Sequence, residues 1–271
     1  MALFIGWDVG GWNCDRNPSS RDALVILNDQ REVIGTPWRG NLRRAINQSG
    51  NTASWIEALL TLCGVEVAEF SQSAVVMGID TPLGFSDQFR NLVVTGKAVE
   101  AIGESSSNPY LFRYTERYLF EKGLSPLSPV KDMIGSQATK GMHVLARFAS
   151  ARVACGVWRS SEGRLTAIEA YPSACKGSSL MRELVAPYMS DVRYVIPEER
   201  LVPGFESLAA SQSTRQQVFS HGLDHADHQD ALVCALIAWL FQHQPGALTQ
   251  PGAEVPQAEG WIYVPVDALG G

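Results

Sequence analysis

The chain has 271 residues, of which 45% are hydrophobic and 18% charged, with a formal net charge of −6. That composition supports a sizeable core and argues against global disorder. The acidic balance argues against a broad, sequence-independent nucleic-acid clamp, which needs positive charge. Five scattered cysteines without a C-x-x-C pair argue against a disulfide framework or a zinc–cysteine site, and make the cytoplasm the expected compartment. No apolar run reaches the roughly 18 residues of a membrane span, so no membrane association is expected. Met1 to Asp8 reads as a strand rather than a leader peptide.

In chain order, residues 2–9 read as a central strand ending in Asp8, and Asp22 to Asn28 as a second strand. Asn28-Asp29-Gln30 reads as a turn into a third strand at Glu32 to Thr36, which makes a hairpin. Ser54 to Cys63 has helical spacing, with Trp55, Ile56, Leu59, Leu60 and Cys63 on one side. Ala74 to Asp80 is a continuous apolar run closed by a carboxylate, as a strand buried on both faces would be. Pro82 and Gly84 stop it, and Asp87 to Val94 starts a helix.

Residues 100–160 are the least regular stretch and read as an insertion. Within them, Gly103–Pro109 is a loop, Tyr110–Glu121 a helix, Leu124–Val130 a loop with Ser-Pro twice, and Thr139–Cys155 a long helix. Arg164–Tyr171 is a strand carrying Glu169, stopped by Pro172, and residues 176–200 are mixed. Asp227–Phe241 is a helix apolar nearly all round, hence deeply buried. The tail from about 244 to 271 reads as a Pro/Gly-rich extension with a short edge strand at Gly260–Pro265. The whole, 1–271, reads as one domain.

The chemistry-bearing pattern is acidic. Asp8, Asp80 and Glu169 lie at or near the ends of apolar strands, and Asp230 opens the last strong helix. Unpaired buried carboxylates are costly, so four of them in such places need a reason. A shared divalent cation supplies one. Asp227 and Asp230, spaced i and i+3, share a helix face and can both reach one metal, although Asp227 also suits an N-cap. Glycines after Asp8 would let a metal or phosphate approach the backbone. His221, His225 and His228 crowd Asp224, which would also permit a zinc site; a single histidine such as His228 could instead assist a phosphate. Arg113 in Arg113-Tyr-Thr-Glu116 could hold a phosphate bidentately, or simply pair with Glu116. Two arginine groups, Arg39/Arg43/Arg44 and Arg152/Arg159/Arg164, are candidate basic strips or ordinary solvated residues.

Taken in order, these pieces resemble a known family. The series is Asp8 on the first strand, Gly-Ile-Asp80-Thr-Pro-Leu-Gly, Arg113-Tyr-Thr-Glu116, Glu169-Ala-Tyr-Pro172, Asp230-Ala-Leu-Val-Cys-Ala and Glu259-Gly-Trp-Ile-Tyr-Val-Pro265. It is similar to the DUF429 family, described as predicted RNase H-like nucleases, and spans nearly the whole chain. The resemblance implies an α/β, ribonuclease H-like fold: a mixed five-stranded sheet, three antiparallel strands first, flanked by helices. It implies that Asp8, Asp80 and Asp230 meet at a metal site, with Asp227 as the extra acid of resolvase-like members and Glu169 as a further catalytic acid. It implies Mg²⁺ or Mn²⁺, and a two-metal hydrolysis of phosphodiesters in nucleic acid or nucleotides, with Arg113, Glu116 or His228 touching the substrate. Two alternatives stay open: an ATPase-like phosphate binder, since Asp8-Val-Gly10-Gly11 also fits an Asp-x-Gly loop, and a non-catalytic binding protein of the same fold. A homo-oligomer is open as well.

Overall fold

A computed structural model describes residues 2–17, 20–195, 214–219 and 222–270. His221, and residues 196–200 of the segment read as mixed, lie outside the described residues. The protein is α/β. Eight strands form one mixed sheet: β1 (Ala2–Asp8), β2 (Asp22–Leu27), β3 (Trp38–Gly40), β4 (Ala74–Asp80), β5 (Ala151–Ala154), β6 (Val157–Arg159), β7 (Leu165–Ala170) and β10 (Ile262–Tyr263). Their order is β3-β2-β1-β4-β7-β6-β5, with β10 also beside β7. β2 is antiparallel to β1 and β3, β4 is parallel to β1, and β7 is parallel to β4. β6 and β5 extend the sheet antiparallel, while β10 runs parallel to β7. A separate antiparallel pair is made by β8 (Met189–Val195) and β9 (Thr214–Phe219).

The helices that bear on the site are α2 (Thr52–Leu62), α4 (Asp87–Thr95), α5 (Tyr114–Glu121), α6 (Gly135–Phe148) and the 18-residue α8 (Ala226–His243). Strand alternation distributes them. Leu3, Ile5 and Trp7 of β1 and Val75, Met77 and Ile79 of β4 pack with Trp55, Leu59, Val144 and Phe148 of α2 and α6. Phe4, Val76 and Ile168 face the other way, against Ala231, Leu232, Ala235 and Leu236 of α8. By the same alternation Gly6, Asp8, Gly78 and Asp80 fall on the α8 face.

Gly6 and Gly78 are register partners on β1 and β4, and α8 lies directly on them. A Cβ on Gly6 would stand 1.7 Å from the Ala231 carbonyl oxygen, and one on Gly78 would stand 2.2 Å from that of Cys234. Only a hydrogen at these positions lets a helix backbone come this close to a sheet. Gly78→Ala is expected to cost about 3 kcal/mol or more, since the obstacle is backbone and cannot rotate away. Urea denaturation checks this; a loss within ~0.5 kcal/mol would show that α8 does not seat there.

Three local expectations are corrected. The third strand is β3 at Trp38–Gly40; the 32–36 segment makes only one bridge, Val33 to Leu27. Gly35, at φ 72°, passes so near the end of α2 that a Cβ would meet the Cys63 carbonyl at 2.2 Å, and this turns the chain away from β2. The long helix covers Gly135–Phe148, not 139–155, because β5 and β6 form a hairpin through Cys155-Gly156, with Gly156 at φ 70°. Finally, among the described residues the sheet has eight strands rather than five. The additions come from the hairpin inside the presumed insertion and from the C-terminal extension.

Candidate active site

Asp8 and Asp80 are the last residues of adjacent parallel strands and are paired in register, so their carboxyls sit side by side on the face that α8 covers. This is the carboxyl end of the strands, where α/β sheets place ligands. Burial first, then the charges of Asp80, Asp230, Asp227 and Asp22, push Asp8 up to about 9. Burial first, then Asp230 and Glu169, push Asp80 up to about 8. No cation or hydrogen-bond donor among the described residues offsets either shift. Two adjacent carboxyls that resist ionisation for want of a counter-charge are the signature of an acidic site rather than of a structural ion pair.

They open on a cavity of about 210 Å³ at the ends of β1, β4 and β7, which Thr81, Gln137, Tyr171 and Ile134 also line. Asp230, on the first turns of α8, lines a neighbouring cavity of about 470 Å³ together with Lys176 and Gln229. Its charge still reaches both other carboxyls. Burial raises its own pKa, and Lys176 opposes the rise.

Among the described residues, no three His, Cys, Asp or Glu side chains group closely enough to hold a metal between them. The histidine–aspartate zinc site is therefore not assembled from His225, His228 and Asp224. Asp8 and Asp80 remain a hard, oxygen-only pair without a counter-ion. Mg²⁺ commonly takes one or two carboxylates and completes its shell with water, so the donor set fits that ion or Mn²⁺ and does not fit zinc.

Other predicted site residues are engaged in pairs of their own. Glu169 pairs with Ile79 in register, one residue short of Asp80, so alternation turns it to the opposite face. There its two oxygens accept from Arg113 Nη1 at 2.8 Å and Nη2 at 2.6 Å, and Oε2 also accepts from the Leu83 amide at 2.9 Å. Glu169 thus lines the cavity with Asp8 and Asp80 while its oxygens are committed to Arg113 and to the turn after Asp80. Arg113 and Glu116, expected at the substrate, are both 0% exposed. Glu116 accepts from the Arg113 amide and Nε, each at 2.7 Å, so the pair closes the N-terminus of α5 and cannot reach a substrate. Glu259 completes the cluster by accepting from the Asp87 and Tyr114 amides at 2.9 and 2.6 Å, at the starts of α4 and α5.

Asp227, expected to bind metal, accepts from Arg39 Nε at 2.6 Å. That bond ties β3 to α8 and commits one carboxylate oxygen, while the other lies 3.3 Å from His225 Nδ1. His228 is turned to the Gly222 carbonyl at 3.0 Å, and burial lowers its pKa; it lines neither of the two cavities above. Of the two candidate basic strips, Arg43 pairs with Asp15, while Arg164 serves the Ser73 and Phe70 carbonyls.

Sequence reading missed a buried pair beneath the site. Lys140 and Asp22, both 0% exposed, meet at 2.5 Å. Asp22 also accepts from Trp7 Nε1, Gly10 and Leu42, and Lys140 donates to the Gly10 and Gly11 carbonyls at 3.2 and 3.3 Å. The pair fixes the turn that follows Asp8. No sequence signal joins the two, because Lys140 lies on a helix and looks solvent-facing in one dimension. Thr81 and Gln137 were also missed.

Compared with known proteins, the chain matches no family model, no curated protein and no solved structure. No helix among the described residues is long and apolar enough to cross a membrane.

Proposed function

We propose that this chain is a divalent-metal-dependent phosphodiester hydrolase of ribonuclease H-like type, acting on nucleic acid or nucleotides at the ends of β1 and β4. The observation that carries the reading is the side-by-side pair Asp8 and Asp80, raised to about 9 and about 8 with no counter-charge among the described residues. The topology supports it as well. Three antiparallel strands come first, β4 joins parallel to β1, β7 joins parallel to β4, and one long helix crosses β1 and β4. These are the features that the DUF429 resemblance implies.

Asp8 and Asp80 would hold Mg²⁺ or Mn²⁺, with Asp230 the nearest further carboxylate. Bound there, such an ion supplies Lewis-acid stabilisation of a phosphoryl oxygen and makes water acidic near neutral pH. The chain's own residues perform the positioning. Lys140 and Asp22 fix the Asp8 turn, Glu169 and Arg113 fix the Asp80 turn, and Arg39 anchors Asp227 one turn from Asp230. Pre-fixed geometry of this kind is what lowers a reaction barrier without a reorganisation cost. The ATPase-like alternative gains nothing from the Gly10-Gly11 loop, because the Gly10 amide is already spent on Asp22 at 2.9 Å.

Asp8→Asn and Asp80→Asn are each expected to cut Mn²⁺-dependent cleavage of single-stranded DNA or RNA by at least ~10²-fold while the protein stays folded. Full cleavage by both purified variants would remove the basis of the reading.

A further inference from the structure

The cavity that holds Asp8 and Asp80 adjoins a second one of opposite character. The first, about 210 Å³, is lined by Asp8, Asp80 and Glu169 and by no Lys or Arg. The second, about 470 Å³, is lined by Lys176 and Arg182 against a single carboxylate, Asp230. Both touch the 3₁₀ segment Pro172–Gly177 that follows β7. Its Ser173, with Tyr171 before it, lines the first cavity, and its Cys175 and Lys176 line the second. Asp230 stands between the two. Its charge acts on Asp8 and Asp80, and the Lys176 charge acts on it.

The cations of the second cavity are unspent. Lys176 and Arg182 are exposed, and among the described residues neither is in an ion pair. Their backbones are fixed. Arg182 lies on α7 (Ser179–Val185), whose start is capped by the Ser178 hydroxyl accepting from the Met181 amide at 2.9 Å. The same hydroxyl donates to Asp267 at 2.5 Å, which pins the corner between the Lys176 segment and α7. The remaining lining is largely apolar, with Met181, Val185, Met189 and Val233. Methionine side chains adapt to flat groups of differing outline.

Charge and size define the occupant. On a chain of net charge −6, a phosphate is repelled wherever the protein places no cation. A metal at Asp8 and Asp80 would answer for the scissile phosphate alone. A strand that continues past it brings one more negative charge with each residue, and a groove that follows it supplies Lys or Arg there. The second cavity falls within the roughly 300–1,000 Å³ of small-ligand sites, enough for one nucleotide. An apolar pocket receives a base only when that base is unpaired.

Resting on the hydrolase reading above, we propose that the cavity beside Asp230 holds the nucleotide next to the scissile phosphodiester of a single strand. Its phosphate would lie at Lys176 and Arg182, and its base on the Met181–Val185–Met189–Val233 surface. The substrate class is then an unpaired strand that passes from Asp80 over Asp230 to α7. A duplex keeps its bases stacked inside and offers none to the pocket.

The test uses the intact chain with Mn²⁺ and three substrates, in deoxy and ribo forms: a dinucleoside monophosphate, a tetranucleotide, and a hairpin whose stem pairs the tetranucleotide sequence. The dinucleoside monophosphate offers the scissile linkage and no other phosphate. The tetranucleotide is expected to exceed both others in kcat/KM by about tenfold or more, the effect of one good phosphate contact. Arg182→Gln is the cleaner probe, because Lys176 also acts on Asp230. It is expected to bring the tetranucleotide preference close to one, through KM, and to reduce the slope of log KM against log salt by about 0.7. Arg182→Lys is expected to keep most of both. No length preference in wild type, a preference that Arg182→Gln leaves intact, or a hairpin cut as fast as the single strand overturns this inference and leaves the hydrolase reading standing. If no substrate is cut, fluorescence anisotropy of a labelled tetranucleotide decides. Binding weakened about tenfold by Arg182→Gln supports the cavity and sinks the hydrolase reading. Binding that is absent, or indifferent to Arg182→Gln, overturns both.

Discussion

Arg113→Ala is expected to destabilise the protein by about 3–5 kcal/mol, the loss typical when one partner of a buried charge cluster is removed. The guanidinium is 0% exposed and donates to Glu116, Glu169 and the Glu259 carbonyl. Burial alone would lower its pKa; Glu116 and then Glu169 more than reverse that and leave it raised. Without Arg113, Glu116 and Glu169 stay buried with no cation between them. Arg113→Lys restores a charge but not the planar five-donor fork, so it should fall between wild type and alanine. The triple change Arg113→Met, Glu116→Gln, Glu169→Gln should cost less than Arg113→Ala alone, because no charge is then stranded. Denaturant unfolding decides the matter: a loss under ~1 kcal/mol for Arg113→Ala would mean that water reaches these carboxylates. A consequence for the site follows from geometry. Glu169 holds the Leu83 amide at 2.9 Å, three residues past Asp80, so loosening the cluster loosens the turn that aims Asp80. An Arg113→Lys protein that remains folded should therefore lose metal affinity, although Arg113 touches no metal.

Which parts of this arrangement were legible in one dimension follows from what a local pattern can encode. Asp8 and Asp80 were legible because each closes an apolar run, and runs of that kind form central strands. Their adjacency was not, because register is a relation between strands. Once α8 is laid on Gly6 and Gly78, those glycines must be neighbours, and two residues on, Asp8 and Asp80 must be too. Glu169 was legible as a carboxylate carried by a strand. Its partner was not, because Arg113 lies 56 residues away in a stretch that read as an insertion. The Lys140–Asp22 pair, 118 residues apart, has the same cause, and so does Asp227, whose acid belongs to Arg39 at a separation of 188. The β5–β6 hairpin escaped for a different reason. All four residues of β5 are exposed, so there is no apolar alternation to read, and nothing in the pattern marks where the helix before it stops.

Without divalent cation, stability is expected to fall between pH 7 and 9, and Mg²⁺ or Mn²⁺ to remove most of that fall. The sign follows from proton counting. Asp8 and Asp80 sit at about 9 and about 8 in the folded protein against 3.8 for each ordinarily. Between those limits the folded state holds protons that the unfolded chain has released, so raising the pH favours unfolding. The contribution is complete below pH ~4 and is lost as the pH rises through 8 to 9. The limiting slope is about 1.4 kcal/mol per pH unit per group, and water in the cavity reduces it. Groups with the opposite sign act elsewhere. Asp267, an exposed carboxyl, is lowered against slight desolvation, chiefly by the Leu180 amide and the Ser178 hydroxyl, so its contribution is lost only in acid. His228 is lowered by burial from 6.5, so it raises stability with pH only below neutrality. In this window the carboxyl pair acts together with Asp230, Asp22 and Glu169, which burial also raises. Asp8→Asn should roughly halve the metal-free slope, leaving the part due to Asp80, and make the protein more stable than wild type at pH 9, while abolishing the gain from Mn²⁺. A cation that binds the folded state alone must displace these protons, so its stabilisation should grow with pH across the same window. Melting curves at three pH values, with and without Mn²⁺, check all of this. A flat metal-free profile with no response to the ion would mean that Asp8 and Asp80 are satisfied as they stand. A slope that Mn²⁺ removes in wild type, and that is smaller in Asp8→Asn, would tie the cation to the strand ends before any substrate is known.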